Sequence, residues 1–422
     1  MIINIRQIFQ KVFVKDFLTL LSGNAAAQAI SLLAIPILTR LYTPAEFGIV
    51  ALFISIVNVI AVVANGRLDM AIVLPKRDGH AFHLLAINFF IALIVALLCL
   101  VVIAVFHEDL SDVFSSLSYR KIIWFLPLCI FLAGTQKSLS YWFTRMRNFR
   151  SLASNRVVQN AGQTGFRLCR YIYIDGHWGL FTGFLIGLFL SWGTFVFQLF
   201  KREFWKIRYL SFRTSYKTFK DYINFPLYLM PMGVLNALSV NLLIFALSAV
   251  TTNTIVGHYE RAWRVINFPL TMISTSFGNV FFEKMSHKPN RKLYLYSYII
   301  NLGVATIILS PLIFWGEEIF CFVLGQDWSI AGRIAAIMLP LTISNFATQT
   351  ISSTFSVINQ NRLLLVWQVV YLSITLGWII IYKGTEVFSL LKVYSIIGAI
   401  LYALLAFLGY RHLSEKDIEL SN

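Results

Sequence analysis

Runs of about twenty mostly apolar residues recur along this chain from Phe17 to Tyr410. Each is long enough to cross a hydrocarbon core about 30 Å thick as a helix. Only 13% of the 422 residues are charged and 58% are hydrophobic, whereas a soluble chain carries about 25% charged residues. Mean hydropathy is +0.72, so little mass is left for a soluble domain. The expected fold is an all-α integral membrane protein with about twelve transmembrane helices. The spans are 17–39, 45–65, 82–106, 121–142, 151–173, 178–200, 223–249, 254–282, 293–315, 332–356, 363–382 and 388–410. The fifth is the least apolar.

Charge is distributed by connection. Lys and Arg occupy the N-terminus (Arg6, Lys11, Lys15) and every second connection after it. These are Arg67, Lys76 and Arg77, then Arg145, Arg147 and Arg150, then the basic run from Lys201 to Lys220. Lys284, Lys288, Arg291 and Lys292 follow, then Arg362, then Arg411 and Lys416. The alternate connections are acidic or neutral: Glu108, Asp109 and Asp112; Asp175; Thr251 to Thr254; Glu317, Glu318 and Asp327. Positive-inside bias therefore places both termini and the basic connections in the cytoplasm. The net charge of +16 belongs to one membrane face, and nucleic acid is not an expected partner. Apolar helix continues past Ala25-Ala26-Ala27 through Leu38, longer than the apolar core of a signal peptide.

Chemistry-bearing motifs are scarce. There is no Walker A loop, GxGxxG, GxSxG or HExxH, so neither nucleotide hydrolysis nor hydrolase chemistry is indicated. Cys99, Cys129, Cys169 and Cys321 are widely spaced, without the spacing of disulfide frameworks or zinc sites. No metal or other cofactor is expected, and the chain does not read as an enzyme. Gly183 and Gly187 form a GxxxG in the sixth span, which reads as a helix-packing contact.

The halves resemble each other. A displacement of 209 residues lays Thr43, Gly48 and Asn58 on Thr252, Gly257 and Asn267. The expected organisation is an N-terminal six-helix lobe over 1–200, a basic cytoplasmic linker over 201–222 and a C-terminal six-helix lobe over 223–422. At the places of Glu260, Arg261 and Arg264 the first half carries Ala51, Leu52 and Ser55, so the fold accepts uncharged residues there. A charge at the centre of a membrane helix costs about 2.5–3.5 kcal/mol on the insertion scale.

That cost points to function. Arg261, Arg264, Asn267, Thr271, Thr275 and Gly278 form a stripe on one side of the eighth span, and charges inside membrane spans face a bundle interior or a watery cavity. Glu260 and Arg264 at i, i+4 also suit a structural ion pair, but one Glu cannot neutralise two arginines. Asn155, Gln159, Gln163, Arg167 and Arg170 line one side of the fifth span, and Lys137 lies in the fourth. Snorkelling to an interface is the alternative for Arg167, Arg170 and Lys137. A polar, cationic passage suits an anionic, hydroxyl-rich ligand. Arginine in particular suits phosphate, giving one group two charge-assisted hydrogen bonds. Glu260, the acid placed well inside a span, is the candidate for coupling transport to an ion gradient.

Five segments carry a family resemblance: LTRLYTPAEFGIVALFISIV (38–57), NGRLDMAIVLPK (65–76), FPLYLMPMGVLNALS (225–239), VGHYERAWRVINFPL (256–270) and LGQDWSIAGR (324–333). In this order they resemble the Wzx-type O-antigen and capsule flippases of the multidrug/oligosaccharidyl-lipid/polysaccharide exporter superfamily. The resemblance implies two six-helix lobes around a central cavity, as in the MATE exporters, and alternating access in the bacterial inner membrane. It implies an undecaprenyl-pyrophosphate-linked oligosaccharide as substrate, and allows a polysaccharide polymerase and a chain-length regulator as partners. The family's cationic cavity residues map onto Arg261 and Arg264, and less directly onto Arg167, Arg170 and Lys137. The competing readings are a MATE-like cation-coupled exporter of small molecules, which would favour acidic cavity residues, and a membrane-bound polymerase or ligase, which would need a catalytic outer loop.

Overall fold

A computed structural model describes residues 22–23, 25–106, 120–173, 178–203, 208, 210–287, 289–358, 360–382 and 386–419. The regular structure of these residues is helical throughout. The acidic Glu108, Asp109, Asp112 and Asp175, the basic Arg6, Lys11, Lys15 and Lys288, and the side chains of Arg170 and Thr275 lie outside what is described.

Among the described residues, helices stand over each of the expected spans. They are α1 (Ala25–Leu41), α2 (Pro44–Asn65), a one-turn α3 (Leu68–Ala71) and α4 (Asp78–Val105). After a 3-10 turn come α5 (Leu126–Arg145), α6 (Phe149–Tyr173), α7 (Gly179–Glu203) and the short α8 (Phe212–Asp221). A π-helical turn, Phe225–Leu229, leads into α9 (Met230–Val250), followed by α10 (Asn253–His287), α11 (Arg291–Leu309) and α12 (Pro311–Leu324). The last are α13 (Ser329–Ile351), the one-turn α14 (Thr354–Val357), α15 (Asn361–Ile381) and α16 (Val387–Glu419). Nine helical segments among the described residues are long and apolar enough to cross a membrane. The α6 and α10 helices fall outside that set because of the polar stripes already noted. The ninth span proves shorter than its apolar run: Pro311 starts a new helix and ends α11 at Leu309, since proline cannot supply the backbone donor.

Packing separates the chain into two compact units, residues 1–42 with 49–238 and residues 43–48 with 239–422. Both invert the soluble pattern, as helices in lipid must. Large apolar residues such as Phe90, Leu98, Phe197 and Phe322 face outward, while Asn88, Thr135, Ser138, Ser191, Thr375 and Ser395 are fully buried. Without a hydrophobic drive between helices, small residues and hydrogen bonds hold them together.

In the first unit Phe82 meets Trp142 edge to face, and Phe143 stacks on Phe195 at 4.9 Å. The Trp192 indole donates to Thr135 Oγ1 at 3.0 Å. In the second unit α13 is the hub, packed by α10, α11, α12 and α16. Its Ala331, Gly332, Ala335 and Ala347 are buried and small enough for close approach. Pro340 interrupts the α13 ladder, and Ser395 Oγ of α16 accepts from the neighbouring Leu341 N–H at 3.3 Å, replacing a backbone partner as membrane interiors require.

The second unit also contains a reciprocal contact. A Cβ on Gly48 would collide with Asn253 O, and one on Gly257 would collide with Pro44 O. The displacement of 209 residues that lays Gly48 on Gly257 also lays Pro44 on Asn253. Residues that this displacement lays on one another therefore pack against each other.

Candidate functional site

Three charged residues of α10 form one cluster. Glu260 Oε2 accepts from Arg261 Nε at 3.0 Å and pairs with its Nη2 at 2.9 Å. Glu260 Oε1 accepts from Arg264 Nε at 2.7 Å and pairs with its Nη2 at 2.7 Å. One carboxylate thus bridges two guanidinium groups, and a positive charge is left over.

The two arginines differ in access. The Arg261 side chain is 6% exposed and lies 4.1 Å over the Phe47 ring, which itself meets Trp328 edge to face. His258 packs on the same Trp328. The Arg264 side chain is 51% exposed, so it is the member of the cluster open to a ligand. Below it Asn267 is part-buried and Thr271 exposed. Asn267 donates to Trp263 O at 2.9 Å.

The α6 stripe meets another helix. Asn155 Nδ2 donates to Ser191 O and Thr194 Oγ1, each at 2.6 Å, and Ser191 Oγ donates to Asn155 Oδ1 at 2.6 Å. Gln136 of α5 donates to Gln159 Oε1 at 3.0 Å and to Ser191. Turned so that its oxygen faces Arg167, the Gln163 amide accepts from Arg167 Nη2 at 2.6 Å and Nη1 at 3.0 Å. Arg167 Nε donates to Leu180 O, and the Tyr42 hydroxyl donates to Arg167 O. Gly183 and Gly187 admit this packing: a Cβ on Gly187 would stand 2.7 Å from Gln163 Cβ, and one on Gly183 would meet Arg167. Arg167 is buried in this interface, and Arg170 lies in the same helix.

Lys137 is exposed on α5, next to a part of the first unit that the sequence reading missed. Between α2 and α4 the chain turns through Gly66 (φ 52°) and Arg67 (φ 55°). A left-handed non-glycine residue costs about 1–3 kcal/mol and persists only where its surroundings enforce it. The turn brings Asp69 and Asn65 inside at 0% and 1% exposure, no side chain hydrogen-bonds the Asp69 oxygens, and neither polar atom of the Asn65 side chain has a hydrogen-bond partner. Burial pushes the Asp69 carboxyl above its ordinary value, opposed by the Lys137 charge, the Met70 backbone N–H, the Arg67 charge and its own backbone N–H. An acid inside the apolar run LDMAIVL was the available sequence signal.

A separate cleft of about 1210 Å³ in the second unit is lined in part by Glu317, Glu318, Arg333, Glu386 and Lys392. Among the described residues no cluster of three or more His, Cys, Asp or Glu side chains is placed to hold a metal ion.

A family model described as "Polysaccharide biosynthesis protein" matches residues 37–332. The chain is 23% identical over 313 residues to the succinoglycan biosynthesis transport protein ExoT of Rhizobium meliloti (strain 1021). That match covers 72% of this chain and 61% of the relative. Among solved structures, the inward-facing conformation of a multidrug resistance MATE family transporter of the MOP superfamily matches with a TM-score of 0.70. Identity is 15%, over 92% of this chain and 95% of that one. A MOP superfamily transporter from Pyrococcus furiosus Vc1 (DSM3638), described by a binding pocket of reverse polarity, matches with a TM-score of 0.59 and 14% identity over 94% of both chains. These likenesses establish a MATE-like fold.

Proposed function

The chain belongs to the polysaccharide biosynthesis protein family, and we propose that it is a flippase for polyprenyl-pyrophosphate-linked oligosaccharide repeat units. It carries them from the cytoplasmic to the periplasmic leaflet of the bacterial inner membrane by alternating access, supplying O-antigen, capsule or other exopolysaccharide synthesis. The observation that carries this reading is the half-exposed Arg264 guanidinium on a membrane helix, backed by a cluster with surplus positive charge. A pyrophosphate is the membrane-bound group such a charge suits, through two charge-assisted hydrogen bonds. Arg261 has a supporting part, holding Glu260 from the buried side.

The physical need is clear. Each sugar hydroxyl costs roughly 1–3 kcal/mol to bury without a partner, and a net barrier of about 25 kcal/mol allows roughly one crossing in several days. Polar groups that replace water lower that barrier while the lipid tail stays in the bilayer. A transporter named for polysaccharide biosynthesis among the relatives, and transporters among the structural neighbours, support transport rather than catalysis. A small-molecule cation exporter is disfavoured, because the acid on α10 is buried between two arginines while the exposed group is cationic.

The test is surface glycan display in a strain that depends on this chain. Arg264→Ala leaves the protein inserted and abundant but removes surface glycan, and Arg264→Lys restores part of it, since lysine returns the charge without the planar fork. Normal display by the alanine variant overturns the assignment of Arg264.

A further inference from the structure

The turn between α2 and α4 holds a buried acid whose oxygens no side chain hydrogen-bonds, within the electrostatic reach of two cations. We propose that Asp69 is a proton-binding site linked to anion binding at Lys137 and Arg67, so that the protein takes up a proton as it engages the phosphate groups of its substrate. This rests on the flippase reading above and adds to it a named coupling residue in the first unit.

Three observations meet at this place. Asp69 is fully buried and no side chain bonds its oxygens, and the Asn65 amide four residues before it, across the left-handed turn, is equally buried and unpartnered. A buried carboxylate approached only by local backbone N–H groups is unfavourable in its ionised form unless a cation neutralises it. The cations whose charge reaches it are Lys137 of α5 and Arg67 of its own turn. Arg67 is held in the left-handed region, and its guanidinium packs where a Cβ on Gly233 would stand.

Lys76 and Arg77 of the same connection are exposed, and the other titratable groups of the adjoining helices make contacts of their own. Tyr141 of α5 also senses the Asp69 charge. On α4, Asp78 pairs with Arg145 at 2.9 Å, His80 bonds Thr218 at 3.3 Å and His83 bonds Ser215 at 2.8 Å. Arg145 further clamps the turn through Ile72 O and Val73 O.

The linkage follows. While Asp69 is ionised, Lys137 and Arg67 serve as its countercharges. An incoming phosphate competes for them, and the carboxylate takes a proton from solvent as it loses their field. One proton is gained, no bond other than O–H forms, and the anion's charge stays with the cations. By reciprocity the proton must tighten the anion as much as the anion tightens the proton. Glu260, nominated from sequence for coupling, differs in that both its oxygens are already held by arginines.

The experiment measures proton uptake on adding inorganic pyrophosphate to the full-length protein in nanodiscs, in weakly buffered solution near neutral pH, for wild type and Asp69→Asn. The ligand's own titration cancels in the difference. Wild type takes up more protons than the variant, by an amount approaching one per chain, and its pyrophosphate affinity falls up to about tenfold per pH unit above the Asp69 pKa. In Asp69→Asn that fall disappears. Equal uptake by the two proteins overturns the inference and leaves the flippase reading standing. Failure of wild type to bind either pyrophosphate or farnesyl pyrophosphate overturns both, and tighter binding of the farnesyl form identifies the lipid-linked anion as the source. If Asp69→Asn does not fold, Lys137→Met decides: loss of a countercharge keeps Asp69 protonated before ligand arrives, so uptake drops, and undiminished uptake overturns the inference.

Discussion

Glu260→Gln, Arg261→Met and the double substitution form a thermodynamic cycle on the α10 cluster. Glu260 and Arg261 side chains are 11% and 6% exposed and meet at 2.9 Å. Removing one partner of a buried ion pair costs about 3–5 kcal/mol, because the other charge is left unpaired. At 1.4 kcal/mol per factor of ten that is roughly a hundred- to several-thousand-fold in the folded population. The two single substitutions are not equivalent. Glu260→Gln orphans both guanidiniums, and only Arg264, half exposed, can be rescued by water. Arg261→Met leaves Glu260 its bonds from Arg264 Nε and Nη2, so it costs less, about 1 kcal/mol of it from the lost contact with the Phe47 ring. The double variant removes the buried charges together and fills their space with an apolar chain, an exchange that is often neutral or stabilising. It should therefore be at least about 2 kcal/mol more stable than the sum of the single losses. Equilibrium unfolding of the purified protein in mixed micelles reads the three differences. Additive losses would refute the reading of Arg261 as the buried anchor of Glu260.

The reciprocal contact predicts matched effects at two distant positions. Gly257→Ala and Gly48→Ala each drive a Cβ into a backbone carbonyl, and each should lower stability by about 1–3 kcal/mol, read as a shift in the thermal unfolding midpoint. If one is harmless and the other severe, the equivalence of the halves at this crossing is wrong. For topology, a reporter fused after Lys220 should be active only in its cytoplasmic form, because that connection holds the basic run from Lys201. Activity only in the periplasmic form refutes the orientation.

The helices were legible because a bilayer imposes a length and a hydropathy on each span, and both are local properties of sequence. Partner choice is not local. The stripe Asn155, Gln159, Gln163 and Arg167 was read correctly as one face of a helix, yet periodicity cannot say whether such a face meets water or another helix. The answer lay in α7, where a Cβ on Gly183 would stand 2.9 Å from Gln163 O and one on Gly187 2.9 Å from Gln159 O, so only glycine admits this approach. Read separately, the GxxxG and the polar stripe suggested a packing contact and a wet passage; read together they describe one interface.

The same limit governs the charges. Spacing by three placed Arg261 and Arg264 on one side of α10, and helical geometry could do no more. Which of them is sealed depends on Phe47, more than two hundred residues away in sequence. Asp69 shows the limit from the other direction: beside Arg67, Lys76 and Arg77 it reads as part of a solvated basic connection. Only the left-handed turn at Gly66 and Arg67 folds that connection inward and leaves the acid without side-chain partners. A charge that costs so much to bury is informative about function. Sequence shows where charges occur, while the fold decides which are hidden, and in a membrane protein the hidden ones have the strongest claim on a mechanism.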